Sequence, residues 1–142
     1  MHTEGLLAPA TADAARDRYE AVGPTAQTTV SEVAKAMDFD KDEYDDRVTG
    51  AVVETAREAI FASLLEVRVG SREEFDDWCD DHPDFEVETI GSENVDNVVW
   101  HAVPFAETVV AATFQDREAA AVGTLRRQAF GSVYREIVTE TA

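Results

Sequence analysis

The chain has 142 residues, 44% of them hydrophobic, and this favours one folded domain over residues 1–142 and argues against a disordered protein. Its net charge is −18, because thirty acidic residues are scattered along the chain and only two of the twelve basic residues are lysines. Cys79 is the single cysteine, which excludes an intrachain disulfide. No apolar run has the length of a membrane span, so we expect no membrane association.

The charge predicts the environment in which the protein works. Acidic side chains repel one another, and molar salt removes most of this cost because the screening length falls to about 3 Å at 1 M. Acidic excess with scarce lysine is typical of salt-accumulating halophilic archaea, so we expect a cytoplasmic protein from such an organism. The alternative is an acidic protein that binds a basic partner, and the even spread of charge argues against it.

The first half of the chain is predicted to be mainly helical. Residues 1–10 are expected to be a loose lead-in, followed by a helix over 12–22. The segment 25–37 has helical apolar spacing, although its start would also suit a short strand. Asp40 has capping-box spacing and is predicted to open a long helix over 41–62.

The second half contains the predicted strands. Residues 64–69 and 85–89 alternate apolar and charged side chains, and the capping box at 71–74 predicts a short helix between them. A long helix is predicted over 117–138, with Asp116 as its cap. The three consecutive strands after the short helix should form an antiparallel meander.

The stretch 95–114 reads as a β-hairpin with a break at Pro104. We expect Val103 to pair with Glu107, which sets Trp100 opposite Val110. Both faces of this hairpin are then largely apolar, so each should be at least partly covered. The predicted fold class is α+β, with an antiparallel three- to four-stranded sheet packed against N-terminal helices and a long C-terminal helix.

Five stretches carry a resemblance to a known family. They are GPTAQ, EYDDRVTG, RVGSREEFDDWCDDHP, VVWHAVPFAETVVAATF and LRRQAFGSVYRE. Through them the chain resembles an uncharacterised protein family of halophilic archaea, a likeness that covers nearly all of it and implies no catalytic residue.

Three residues are candidates for catalysis. His101 and Glu107 should share a face of the hairpin, and a histidine–carboxylate pair could perform acid–base chemistry. Cys79 lies three residues before His82, and either His82 or His101 could act as its base. The competing interpretations are a hydrogen-bonded sheet histidine and a buried structural cysteine. No second metal-binding pair, calcium loop or glycine-rich phosphate loop is present, so we expect no metal and no cofactor.

The sequence favours a non-enzymatic interaction or regulatory module that forms a homo-oligomer or binds a protein partner. Trp100, Arg126 and Arg127 are its candidate contact residues. One alternative is a small-ligand-binding protein or enzyme with a pocket near Trp100, His101 and Glu107. Another is a nucleic-acid-binding regulator that uses the N-terminal helices, and the acidic linker DFDKDEYDD disfavours nucleic acid as a partner.

Overall fold

The computed structural model describes residues 1–92 and 94–139. Within these residues four consecutive helices follow the first strand, and helices and strands are interspersed after them. They are β1 (His2–Glu4), α1 (Ala12–Ala21), α2 (Gly23–Ala36), α3 (Lys41–Arg47), α4 (Gly50–Ser63), β2 (Val67–Ser71), α5 (Arg72–Asp81), β3 (Glu86–Ile90), β4 (Asn97–Val103), β5 (Thr108–Phe114), α6 (Glu118–Ala129) and α7 (Arg135–Thr139).

The strands form one five-stranded sheet in the order β1-β2-β4-β5-β3. The α+β class is confirmed, but the sheet is mixed, because β3 pairs with β5 in parallel while the other pairs are antiparallel. The predicted meander is wrong for a topological reason. β2 and β5 occupy both edges of β4, so β3 cannot pair with β4 and lies instead along the outer edge of β5. Helix α5 is therefore the crossover that connects β2 to β3.

Residues 1–10 are not a loose lead-in. β1 pairs with β2, and the backbone N–H groups of Leu6 and Leu7 both donate to the carbonyl of Leu64, at 2.9 and 2.8 Å. Leu7 is buried in the main core. A three-residue strand shows no periodicity of its own, so the stability of β1 comes from this pairing and from the burial of Leu7.

The hairpin of β4 and β5 forms, with its register one residue away from the predicted one. Val103 pairs with Thr108 because the turn is longer, with a 3₁₀ turn over Pro104–Ala106 and Glu107 in the left-handed conformation at φ 47°. A shift of one residue exchanges the two faces of a strand. Trp100 consequently lies opposite Ala111 rather than Val110.

Two helical predictions change at the N-terminal side. The segment 25–37 is helical as far as Ala36, the last residue of α2, and Met37 is the C-cap. The predicted helix over 41–62 is instead the pair α3 and α4, because the chain leaves helical geometry at Val48 (ψ 84°) and Thr49 caps α4 by accepting a hydrogen bond from the Val52 N–H.

The later helices follow the sequence more closely. Ser71 and Glu74 form the predicted reciprocal capping box at the start of α5. The predicted C-terminal helix is present as α6 and α7 joined by a π-helical turn over Phe130–Tyr134, but Asp116 does not cap it, since Arg117 is the N-cap residue. Each helix in the described residues is too short or too polar to cross a membrane.

Side chains from both faces of the sheet are buried. On one face, the main core lies beneath α1, α4, α6 and the π-helical turn, and on the other face a smaller core lies beneath α5. Both faces of the hairpin are thus covered within one chain. The smaller core contains Phe75, Trp78, Val98, Trp100, Val109 and Ala111.

Candidate functional site

An open apolar groove of about 340 Å³ lies between α2 and α4. One wall is a stripe at three- to four-residue spacing along α2, and the other is formed by Val52 and Ala56, four residues apart on α4. Three of its side chains are large and exposed: Val33 at 53%, Met37 at 59% and Val52 at 43%. The groove is lined by Thr29, Val30, Val33, Ala34, Met37, Phe39, Arg47, Val48, Val52 and Ala56.

The end of α2 directs an aromatic ring into this groove. Asp38 adopts the left-handed conformation at φ 55°, and its N–H donates to the Lys35 carbonyl while the Phe39 N–H donates to the Ala34 carbonyl. This pair of bonds is the Schellman motif, which brings the residue after the turn against the last helical residues. The guanidinium of Arg47 lies 5.4 Å from the centre of the Phe39 ring and closes that end of the groove.

The rim beside Phe39 is strongly acidic. The segment 38–47 contains six carboxylates against Lys41 and Arg47. Helix α3 therefore presents negative charge next to an apolar floor. The hydroxyls of Tyr44 and Ser31, 3.3 Å apart, link α3 to α2 and hold this charge beside the groove.

His101 is a hydrogen-bonded core histidine. Its Nδ1 lies 2.6 Å from the backbone carbonyl of Glu66 and its Nε2 lies 2.7 Å from the hydroxyl of Tyr134. Because a carbonyl only accepts, Nδ1 carries the proton, and Nε2 of the neutral ring accepts from Tyr134. Burial lowers the pKa of His101, and the side chain is only 2% exposed. Both ring nitrogens are engaged, so neither is free to exchange protons with a ligand.

Glu107 does not join His101. It is exposed in the hairpin turn and lines a depression with Asp84 and Glu86, whereas His101 borders a separate cavity of about 120 Å³ with Trp100. The longer turn is the physical reason, because it takes Glu107 out of the strand. The structure therefore does not assemble the predicted acid–base pair.

Trp100 is inaccessible as a contact residue. It is 1% exposed and packs on Phe75, with ring centroids 5.2 Å apart. Its Nε1 has no hydrogen-bond partner among the described residues. Its place is the smaller core, so a surface for partners must lie elsewhere.

The surroundings of Cys79 and His82 indicate a structural role for both residues. Burial, with Asp76 and Asp80 nearby, raises the pKa of the Cys79 thiol, which is the opposite of what an activated nucleophile needs. His82 stacks on Trp78 at 4.0 Å and donates from Nδ1 to the Trp78 carbonyl at 2.7 Å. The histidine thus closes the C-terminal end of α5.

The two candidate arginines of α6 differ from each other. Arg126 donates from Nε to the backbone carbonyl of Leu65 at 3.0 Å and so ties α6 to the chain just before β2. Arg127 is exposed. Of the pair, only Arg127 has a side chain displayed to a partner.

The exposed side of α2 is not among the sequence predictions. The spacing of Val30, Val33, Ala34 and Met37 favours a helix, and in the structure only Val30 and Ala34 of these four are buried. A signal was available, because the stripe continues through Met37 into Phe39 beside a run of carboxylates. An apolar stripe wider than its neighbours can cover indicates a docking surface.

These features define a class of small acidic α+β proteins with one mixed sheet, a fully bonded core histidine and an open apolar groove. The chain belongs to the family of unknown function DUF5809, which it matches over residues 6–135. Membership of an uncharacterised family, expected from the resemblance, is confirmed. No curated protein and no solved structure matches the chain.

Proposed function

We propose that this protein is a non-enzymatic interaction module that binds an amphipathic helix of a partner protein in the groove between α2 and α4. The observation that carries the proposal is the exposure of Val33, Met37 and Val52 around one apolar groove. These are three of the six large apolar side chains that are exposed in the described residues. Their clustering is what a binding surface requires, since scattered exposed apolar residues are normal.

The shape of the groove favours a helix as its occupant. The groove is lined along α2 from Thr29 to Met37, so its floor has a length of about 12 Å at 1.5 Å per residue. About two turns of a partner helix fit this length, with apolar side chains at positions i, i+3 or i+4, and i+7. Two neighbouring helices, α2 and α4, contribute the walls, as in the grooves into which such helices insert.

The charge of the rim selects the partner. Six carboxylates between residues 38 and 47 favour lysines and arginines that flank the apolar stripe of the partner helix. A second copy of this chain brings the same acidic surface and a net charge of −18, so self-association through this groove is disfavoured. Of the two partners that the sequence left open, we therefore favour a heterologous protein with a basic helix over a second copy of this chain.

The proposed setting is the salt-rich cytosol of a halophilic archaeon, supported by the net charge and by the presence of only two lysines. In molar salt the flanking charges contribute little to affinity, because screening acts within about 3 Å. Apolar contacts in the groove then supply most of the binding free energy. The flanking charges then distinguish partners only at the short distances over which they meet the rim carboxylates directly.

Two alternatives receive less support. The cavity that His101 and Trp100 line has a volume of about 120 Å³, which is small against the 300–1,000 Å³ typical of sites for metabolites and drugs. The exposed side of the N-terminal helices includes α3 with its run of carboxylates, which disfavours a nucleic-acid backbone.

The test uses three labelled helical peptides whose binding is followed by fluorescence anisotropy in molar KCl. The first has a leucine stripe flanked by lysines, the second has the same stripe flanked by glutamates, and the third is a scrambled version of the first. We expect saturable binding of the first, weaker binding of the second by a margin that widens as the KCl concentration is lowered, and no binding of the third. The scrambled peptide controls for attraction of any cationic peptide to the acidic surface.

Matched variants locate the binding surface. Val33→Thr and Met37→Gln change the groove, while Val87→Thr repeats the first change and Leu6→Gln introduces the same polar residue as the second at exposed apolar positions outside it. The groove variants should weaken peptide binding at least tenfold and the controls less than twofold. Equal effects of both sets would refute the proposal. A stable dimer of the parent protein that Met37→Gln dissociates would assign the groove to a second copy instead.

A further inference from the structure

Three possible metal ligands meet where the edge strand β1 approaches the first residue of α6. The imidazole Nε2 of His2 lies 3.3 Å from a carboxylate oxygen of Glu4 and 3.3 Å from one of Glu118. The three ligand atoms all lie within 4.8 Å of one another. The cluster is separate from the residues of the groove, and it combines an imidazole with two carboxylates.

The backbone fixes this arrangement. His2 and Glu4 are two residues apart in β1, so their side chains point to the same face of the sheet. Their partners in β2, Val69 and Val67, are buried in the main core together with residues of α6. Glu118 is the first residue of α6, and it reaches the edge strand from the helix that covers this face.

The spacing matches the first coordination sphere of a transition metal. Zinc binds histidine nitrogen at about 2.0–2.1 Å and carboxylate oxygen at about 2.0–2.2 Å, so two ligands of a tetrahedral site are separated by about 3.3 Å. Both measured separations from Nε2 equal 3.3 Å. One nitrogen and two oxygens occupy three positions, and the partial exposure of the side chains leaves room for water at the remaining one.

The electrostatics of the cluster also favour a cation. Nε2 of a neutral imidazole can offer one hydrogen, which cannot make two full hydrogen bonds to carboxylates on different elements. A divalent ion at the centre would contact all three groups and balance both negative charges. Within a chain of net charge −18, it would also reduce the local repulsion between Glu4 and Glu118.

We propose that His2, Glu4 and Glu118 bind one divalent transition-metal ion, of the zinc class, which ties the edge strand β1 to α6. An imidazole with two carboxylates favours Zn²⁺ over Mg²⁺ or Ca²⁺, which prefer oxygen ligands alone. The proposal does not depend on the groove, and either can fail without the other.

The experiment is a calorimetric titration of tag-free protein, freed of metal by a chelator, with ZnCl₂ in the presence of excess MgCl₂. The magnesium occupies weak sites on the acidic surface. We expect one Zn²⁺ per chain. Each of His2→Gln, Glu4→Gln and Glu118→Gln should weaken binding at least tenfold, because one of only three protein ligands is lost.

Two variants serve as matched controls. His82→Gln and Glu20→Gln remove the same groups elsewhere on the chain and should change the Zn²⁺ affinity less than twofold. Hydrogen exchange gives an independent readout, since the amides of residues 2–4 should exchange more slowly with Zn²⁺ bound in the parent but not in His2→Gln.

Two results would overturn the metal site. The first is Zn²⁺ affinity in His2→Gln equal to that of the parent protein, which would show that binding uses other groups. The second is an absence of saturable binding once excess Mg²⁺ is present. A visible absorption band of Co²⁺ that requires His2 would support nitrogen ligation and a site of low coordination number.

Discussion

The bond between Tyr134 and His101 provides the sharpest test of the core. Tyr134 is fully buried, and its hydroxyl lies 2.7 Å from Nε2 of His101. Tyr134→Phe removes this single oxygen and keeps the ring. The ring should continue to pack on Phe61, whose centroid lies 5.5 Å away. The substitution therefore isolates the hydrogen bond from the packing.

The expected cost follows from the position of the acceptor. His101 is 2% exposed, so water cannot readily replace the lost donor at Nε2. A buried polar atom left without a partner costs about 1–3 kcal/mol. We expect Tyr134→Phe to lower the free energy of unfolding by about 2 kcal/mol.

The assay is equilibrium urea unfolding in molar KCl, at a slightly alkaline pH where His101 is neutral. Tyr44→Phe is the matched control, because the Tyr44 hydroxyl lies 3.3 Å from Ser31 Oγ at a half-buried site. Its loss should cost less than about 0.5 kcal/mol. The slope against urea should remain that of the parent protein for both variants.

A Tyr134→Phe variant as stable as Tyr44→Phe would refute this reasoning. Such a result would mean that Nε2 of His101 finds another donor, or that the neutral ring has the opposite tautomer. A changed slope would instead indicate a changed folded or denatured state, and the comparison of free energies would then lose its meaning.

Three other substitutions test local features. Burial lowers the pKa of His101 below its ordinary value of 6.5, so the unfolded chain takes up the proton first. The contribution of His101 to stability is complete above pH 6.5 and is lost as the pH falls below that value. In urea unfolding curves, the free energy of unfolding of His101→Gln should therefore fall less between neutral and acidic pH than that of the parent protein. Glu107→Gly should raise the free energy of unfolding by about 1 kcal/mol, measured by urea unfolding, because glycine adopts the left-handed conformation without strain. Ser71→Ala should lower the thermal midpoint and cost about 1 kcal/mol, since it removes the cap of α5, while no change would show that Glu74 alone secures this helix end.

Capping residues in the sequence correctly predicted where several helices begin. Thr11 accepts a hydrogen bond from the Ala14 N–H as an N-cap should, and Asp40 does the same for Glu43 at the start of α3. The capping box of α5 is present with both of its bonds. Such signals involve residues three apart, so one stretch of sequence contains all the information they need.

Features that depend on distant contacts could not be predicted in this way. The register of the hairpin depends on a left-handed residue at Glu107, which glutamate rarely adopts. The partner of β3 depends on which strand edge remains open after β4 has paired on both sides. The exposure of Met37 depends on how much of α2 the facing helix can cover. His2 and Glu118 meet only because the sheet and α6 bring the two ends of the sequence together.

Strand β3 has a consequence for how the protein avoids polymerisation. It is the outermost strand beside β5, and its residues Glu86 to Thr89 are exposed, including Val87 at 47%. An open edge invites strands of other molecules, and in an antiparallel pairing centred on Glu88 two like charges would face each other. Molar salt screens the repulsion between acidic side chains that opposes folding of this chain. The same screening weakens the repulsion between glutamates of two paired β3 strands. The protection of the edge at high salt then depends on the shortness of a five-residue strand, and a substitution that lengthened it would favour fibre formation.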